Sequence, residues 1–79
     1  MENKIQMPKM SPSMEAGVLV AWNKELEEPV REGEVLFEVE TDKVVCEIEA
    51  PCDGVLAEMC YSEGDRVKVG ETVAVIQER

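Results

Sequence analysis

Hydrophobic and polar residues alternate along most of this chain with the two-residue period of a half-buried strand, not the 3.6-residue period of a helix. In Val44-Val45-Cys46-Glu47-Ile48 the period-two face is Val44, Cys46 and Ile48, and in Val35-Leu36-Phe37-Glu38-Val39 it is Val35, Phe37 and Val39. Leu36 breaks the second alternation, through either a bulge or a strand covered on both faces. The pattern predicts strands at residues 4–7, 18–22, 35–39, 44–48, 55–59 and 73–76, with short pairings near Val30 and Val67. Turns fall at Glu32-Gly33, Asp53-Gly54, Glu63-Gly64-Asp65 and Val69-Gly70, where glycine permits positive φ. Residues 1–3 and 77–79 read as loose ends.

The pattern occurs twice. At an offset of 37 residues, Gly17-Val18-Leu19 recurs as Gly54-Val55-Leu56, Val30 as Val67, and Gly33-Glu34 as Gly70-Glu71. Glu28 with Asp65, Arg31 with Lys68, Leu36 with Val73 and Val39 with Ile76 are conservative matches at the same offset. Two copies are too few for a solenoid, so the expectation is two similar halves packed face to face about an approximate two-fold axis. Short strands in two symmetric halves imply an all-β flattened barrel or small sandwich, since an open sheet this thin leaves one apolar face wet. Shifting position 43 by 37 in either direction gives 6 and 80, the two ends of the chain. Glu40-Thr41-Asp42-Lys43 is therefore related by symmetry to the termini, and its turn is expected at the opposite end of the barrel from them.

Composition narrows the function. Seventy-nine residues make one small domain spanning 1–79, with a core of aliphatic residues because aromatics are only 4% of the chain. Surface scaling for this size leaves roughly 4,800 Å² exposed on folding. Eight basic against 18 acidic residues give a formal charge of −10, which repels phosphate backbones and anionic lipid surfaces and argues against nucleic acid and membranes as partners. A nucleic-acid-binding barrel would also want stacking aromatics, and only Trp22, Phe37 and Tyr61 are present. Trp22 and Phe37 are expected in the core. The absence of histidine removes the commonest general base and metal ligand. Cys46, Cys52 and Cys60, spaced by six and eight, match no zinc pattern and read as unpaired thiols of a reducing compartment. No catalytic or metal-binding residue is assigned, and the domain is expected to be non-catalytic and monomeric.

Lys43 stands out by position: it lies in a polar break between two apolar runs, where Asp42 suits a tight hairpin turn. Placement alone fits an ordinary solvated lysine. Its surroundings add more, because the chain resembles the lipoyl domains of dihydrolipoyl acyltransferases from 2-oxo acid dehydrogenase complexes over nearly its whole length. The resemblance is carried by Met7-Pro8-Lys9-Met10, Ser13-Met14-Glu15-Ala16-Gly17, Val30-Arg31-Glu32-Gly33-Glu34, Glu38-Val39-Glu40-Thr41-Asp42-Lys43, Gly54-Val55-Leu56, Glu63-Gly64-Asp65 and Val67-Lys68-Val69-Gly70. It implies a flattened barrel of two four-stranded antiparallel sheets with lipoate amide-linked to Lys43. The arm would take an acyl group from a thiamin-diphosphate-dependent 2-oxo acid decarboxylase, deliver it to an acyltransferase core and be reoxidised by dihydrolipoyl dehydrogenase.

The same resemblance assigns Glu40, Thr41, Asp42 and Val44 to recognition by the modifying enzyme, a lipoate-protein ligase or an octanoyl or lipoyl transferase. It places the loop Met10, Ser11, Pro12, Ser13, Met14 and Glu15 beside the lysine turn, as a decarboxylase recognition element. That loop reads equally as a connection whose methionines cap the core. Two departures stand out: Val44 follows the lysine where the family usually has alanine, and Glu27 stands where glycine is common, so the first turn is expected to be strained or reshaped. A biotin carrier domain shares the fold and is the alternative, but Asp42 and Val44 flank the lysine where that group has methionines. A purely structural module is the remaining reading. The expected location is cytoplasmic, or the mitochondrial matrix where a transit peptide has been removed.

Overall fold

The computed structural model describes residues 1–42 and 44–78, and among them the chain is built from strands joined by turns, with no helix. The strands are β1 (Glu2–Gln6), β2 (Ala16–Trp22), β3 (Pro29–Val30), β4 (Val35–Thr41), β5 (Val44–Glu49), β6 (Gly54–Met59), β7 (Arg66–Lys68) and β8 (Thr72–Glu78). They form two four-stranded antiparallel sheets, ordered β1-β8-β6-β3 and β5-β4-β2-β7. Advancing every strand by four converts one order into the other, which is the two-fold relation expected from the repeat. Between the sheets lies an aliphatic core in which Leu19, Leu36, Val39, Leu56, Val67, Val73 and Ile76, together with Phe37, are fully buried. The exposed surface is 4831 Å², close to the value that size alone dictates.

The repeat extends to backbone irregularities. The pairing of β4 with β5 shifts between Val35 and Phe37, so Leu36 is the extra residue of a bulge; β1 pairs Ile5 with Ala74 and Gln6 with Thr72, which leaves Val73 extra in β8. Val20 in β2 and Ala57 in β6 form a second matched pair. The open question at Leu36 is thereby answered: a bulge breaks the alternation and lets Leu36 and Phe37 both be buried.

Hydrogen bonds are duplicated as well. Glu27 N–H donates to the Leu56 carbonyl at 2.7 Å and Gly64 N–H to the Leu19 carbonyl at 2.7 Å. Glu25 N–H donates to Glu28 Oε1 and Ser62 N–H to Asp65 Oδ2, each at 2.8 Å. These side chains satisfy turn amides that have no strand partner.

Glu27 reveals how its departure from glycine is accommodated. Its φ of 71° matches the 95° of Gly64, its repeat equivalent, so the backbone keeps the glycine conformation with an L-residue in it. Gly54 corrects an expectation: it is not a positive-φ turn residue but the first residue of β6, buried and needed for space. A Cβ there would collide with the Gln77 backbone and come within 2.7 Å of Ile76 Cγ2. Its equivalent Gly17 is alike, with Val39 Cγ1 at 2.6 Å from any Cβ.

The chain ends are not loose, which corrects the sequence expectation. Glu2 pairs with Gln77, and Glu78 N–H donates to the Met1 carbonyl at 2.8 Å. The terminal strands bury Ile5 and Ile76 in a shared ladder, and burial outweighs the fraying tendency of ends. Arg79 lies outside the described residues.

Three further contacts brace the turns. Lys24 Nζ lies 3.3 Å from Glu34 Oε1 and 3.6 Å from Glu28 Oε2, and at the equivalent position the Tyr61 hydroxyl donates to Glu71 Oε2 at 2.8 Å. The Arg31 backbone N–H first, then Lys24, hold the Glu34 carboxyl below its usual range. The hydrogen bond to Glu71 pushes the Tyr61 hydroxyl up, keeping it neutral.

Two predictions follow from this backbone. Glu27→Gly should stabilise the fold by about 1 kcal/mol by relieving the left-handed conformation, read as a rise in denaturation midpoint, whereas Gly54→Ala should cost about 1–3 kcal/mol through overpacking. A carboxylate with a lowered folded pKa stabilises above its unfolded value and loses that contribution as pH falls. The Tm difference between wild type and Glu34→Gln should therefore be largest at neutral pH and shrink on acidification.

Candidate functional site at the hairpin tip

The β4–β5 hairpin ends where Thr41 pairs with Val44, so only Asp42 and Lys43 join the strands. A loop this short demands left-handed backbone, and Asp42 supplies it with φ 48°, a conformation aspartate tolerates better than most residues. Glu40 and Asp42 are exposed and Thr41 is half-buried. Lys43, singled out by the sequence, lies outside the described residues.

Val44 departs from expectation. Its parity in β5 is core-facing, yet it is 56% exposed, while Cys46 and Ile48 of the same face are half-buried. The core ends one step earlier: a Cβ on Gly17 would touch Val39, Met14 Cε at 3.2 Å and Met7 Sδ at 3.4 Å, and these methionines close the layer. The hairpin outruns the core, so alternation continues where there is nothing left to pack against.

The topology places this tip far from the chain ends. β5 leads away from the tip to Glu49, and Ala50 to Asp53 carry the chain on to Gly54, which pairs with Glu78 beside Met1. Asn3 Nδ2 donates to Cys52 Sγ at 3.4 Å, tying that connection to β1. Tip and termini thus occupy opposite ends of a body 36 Å long and 19 Å across.

The loop between β1 and β2 is brought to the tip by register. Val18 pairs with Glu40, and continuing that ladder by two residues sets Ala16 level with Asp42. Of the loop residues, Met14 is buried, with Sδ accepting from Met10 N–H at 3.2 Å and its own N–H donating to the Ser11 carbonyl at 3.1 Å. Met10 and Ser11 are half-buried, while Pro12, Ser13 and Glu15 face solvent. The loop is therefore both a cap, through Met14, and a presented surface.

Sequence reasoning passed over Val45, which is 51% exposed on the outer face between Glu40 and the sheet edge. The available signal was a valine at an outward position where a soluble edge would carry charge. Glu38 and Glu47 stand directly opposite each other on that face, with Asn23 Nδ2 donating to Glu38 Oε2 at 3.1 Å. Cys52 and Cys60 are free thiols raised above their usual range by desolvation first and neighbouring carboxylates second. Among the described residues no group of His, Cys, Asp and Glu is arranged to hold a metal ion.

The family model described as "Biotin-requiring enzyme", which covers biotin and lipoyl attachment, matches residues 3–76. The chain belongs to this biotin and lipoyl family. Similar curated proteins include components of 2-oxo acid dehydrogenase complexes. The pyruvate dehydrogenase complex protein X component of Saccharomyces cerevisiae is 48% identical over 71 residues, covering 89% of this chain and 17% of that protein. The dihydrolipoyllysine-residue succinyltransferase component of the 2-oxoglutarate dehydrogenase complex of Rickettsia felis is 37% identical over 78 residues, covering 99% of this chain and 20% of that protein. The chain thus spans about a fifth or less of these relatives. Among solved structures, the lipoyl domain of the 2-oxoglutarate dehydrogenase complex from Azotobacter vinelandii superposes with a TM-score of 0.81 at 39% identity, covering 95% of both chains. A single-chain, multi-domain long-chain acyl-CoA carboxylase matches with the same score at 18% identity, over 99% of this chain and 7% of that one, and shows a shared fold alone.

Met14→Ala should cost about 2 kcal/mol or more by opening a cavity beneath the tip. Ser13→Ala, at an exposed position, should leave the denaturation midpoint within about 0.5 kcal/mol of wild type.

Proposed function

We propose that this chain is a lipoyl carrier domain in which lipoate is joined by an amide to Nζ of Lys43, serving a 2-oxo acid or acetoin dehydrogenase complex. The observation that carries this reading is the Thr41–Val44 closure at the pole remote from both termini, next to Lys43 in the sequence of a chain 39% identical to a lipoyl domain along its length. Attachment needs the deprotonated amine, which attacks an activated lipoyl carboxyl; the amide forms, the activating group leaves and the lysine charge is lost. When bound, lipoate supplies a disulfide that accepts an acyl group and electrons together.

The polypeptide's part is positional. Paired strands fix the height and direction of the tip, and tethering through the remote termini raises the effective concentration of the tip at each partner. Glu40, Thr41, Asp42 and Val44 form the surface offered to a lipoate-protein ligase or octanoyl or lipoyl transferase. Exposed Pro12, Ser13 and Glu15 are offered to the thiamin-diphosphate-dependent decarboxylase. Dihydrolipoyl dehydrogenase and the acyltransferase core complete the cycle. No bond-making residue is assigned to the chain itself. The biotin alternative is disfavoured, because the curated relatives named above are dehydrogenase-complex components and Asp42 and Val44 flank the lysine.

Incubation of the chain with lipoate, ATP and a lipoate-protein ligase should add one lipoyl mass to the wild type and none to Lys43→Arg, with both proteins equally folded. Biotin ligase with biotin should add nothing. A biotin adduct, or a lipoyl adduct surviving in Lys43→Arg, would overturn the assignment. Reductive acylation of the lipoylated chain by a panel of 2-oxo acid decarboxylases then identifies the cognate complex by rate.

A further inference from the structure

The two-fold symmetry builds the same sheet edge twice, which allows one copy to serve as the control for the other. β5 and β1 are related outer strands, each hydrogen-bonded on one side only among the described residues, to β4 and to β8. Val39 pairs with Cys46, and its equivalent Ile76 pairs with Asn3, so β5 residues correspond to β1 residues 43 earlier. Thr41 and Val44 close a two-residue loop and are therefore a hydrogen-bonded pair. By the alternation of an antiparallel ladder, Val45 and Glu47 then turn their N–H and C=O groups to the open edge. Their counterparts in β1 are Glu2 and Lys4, both charged and exposed, which is how soluble proteins discourage an added strand. In β5 the position nearest the tip carries Val45, 51% exposed, with Val44 beside it at 56%.

We propose that the open edge of β5 at Val45 and Glu47 is the docking edge for the lipoate-attaching enzyme, which adds an extended strand of its own antiparallel or parallel to β5. This rests on the lipoyl reading above. Three features select that occupant. An added strand lies one inter-strand spacing, about 4.8 Å, from β5 and so runs up to Val44, the neighbour of Lys43 in sequence. Before modification there is no arm to grip, so the attaching enzyme must recognise polypeptide alone, and backbone pairing supplies recognition that tolerates side-chain variation. The strand it offers should carry an apolar residue opposite Val45 and a basic one opposite Glu47, because Glu38, Glu47 and Glu49 make this face acidic. The same acidity opposes pairing of two copies of this chain edge to edge.

Substitution at Val45 separates backbone from side chain. Val45→Pro deletes one outward N–H and no bond to β4, a change an edge strand tolerates, whereas Val45→Thr keeps the amide and the β-branched shape. With lipoate-protein ligase, lipoate and ATP, kcat/KM for lipoylation should fall at least tenfold in Val45→Pro, mainly through KM, and stay within threefold of wild type in Val45→Thr. Equal rates for Val45→Pro and wild type, or an equal loss in both variants, would overturn backbone docking. Should Val45→Pro lose its fold, amide hydrogen exchange of the wild-type chain decides. With the ligase added, protection gained at Val45 and Glu47 supports the proposal, and its absence while lipoylation proceeds overturns it. Protection of the same amides in the concentrated chain alone would assign the edge to self-association and also overturn it. A wild-type chain that accepts no lipoate fails the carrier reading instead, a result distinct from every outcome above.

Discussion

The ladder between β2 and β4 is the constraint on which the tip depends. It sets Val18 against Glu40 and thereby fixes three things at once: the height of the hairpin, the nearness of the preceding loop and the end of the core. Because Gly17 has no side chain, Val39 can close over it, and Met7 and Met14 seal what remains. A single added carbon there would push β4 away from β2 and shift the tip with it. The geometry at Asp42 therefore rests on a small residue two positions beyond the loop, not on anything at the tip itself.

Much of this was legible in the residues because the information was local or doubled. Strand positions followed from alternation, and the matching of Gly17 with Gly54 and Gly33 with Gly70 gave the two-fold relation before any coordinates. The equivalence of the hairpin to the termini followed from subtraction and is realised in the parallel roles of Thr41 with Val44 and Glu78 with Met1. At Leu36, by contrast, the sequence showed the irregularity without its kind. A bulge depends on how two strands count against each other, and one strand's pattern cannot reveal its partner's.

The expectations that failed share a physical origin. Val44 shares the parity of Cys46 and Ile48 yet is exposed, because parity says which way a side chain points but not whether anything is there to meet it. The ends read as loose because chain termini commonly fray, whereas long-range pairing of β1 with β8 holds them. Gly54 was taken for a turn residue because glycine answers two needs, unusual φ and lack of bulk, and the sequence does not distinguish them. Glu27 illustrates the reverse case: the fold imposes the glycine conformation on a residue that does not prefer it.

The pairing of the first strand with the last has a mechanical corollary. Chain entering at Met1 and leaving at Glu78 does so at neighbouring points, so tension along a longer polypeptide would be borne by the β1–β8 ladder and would open it one rung at a time. Force would reach the far pole only after that seam had parted. A domain pulled about by its linkers would thus yield first where nothing is displayed, and keep its working end in shape the longest.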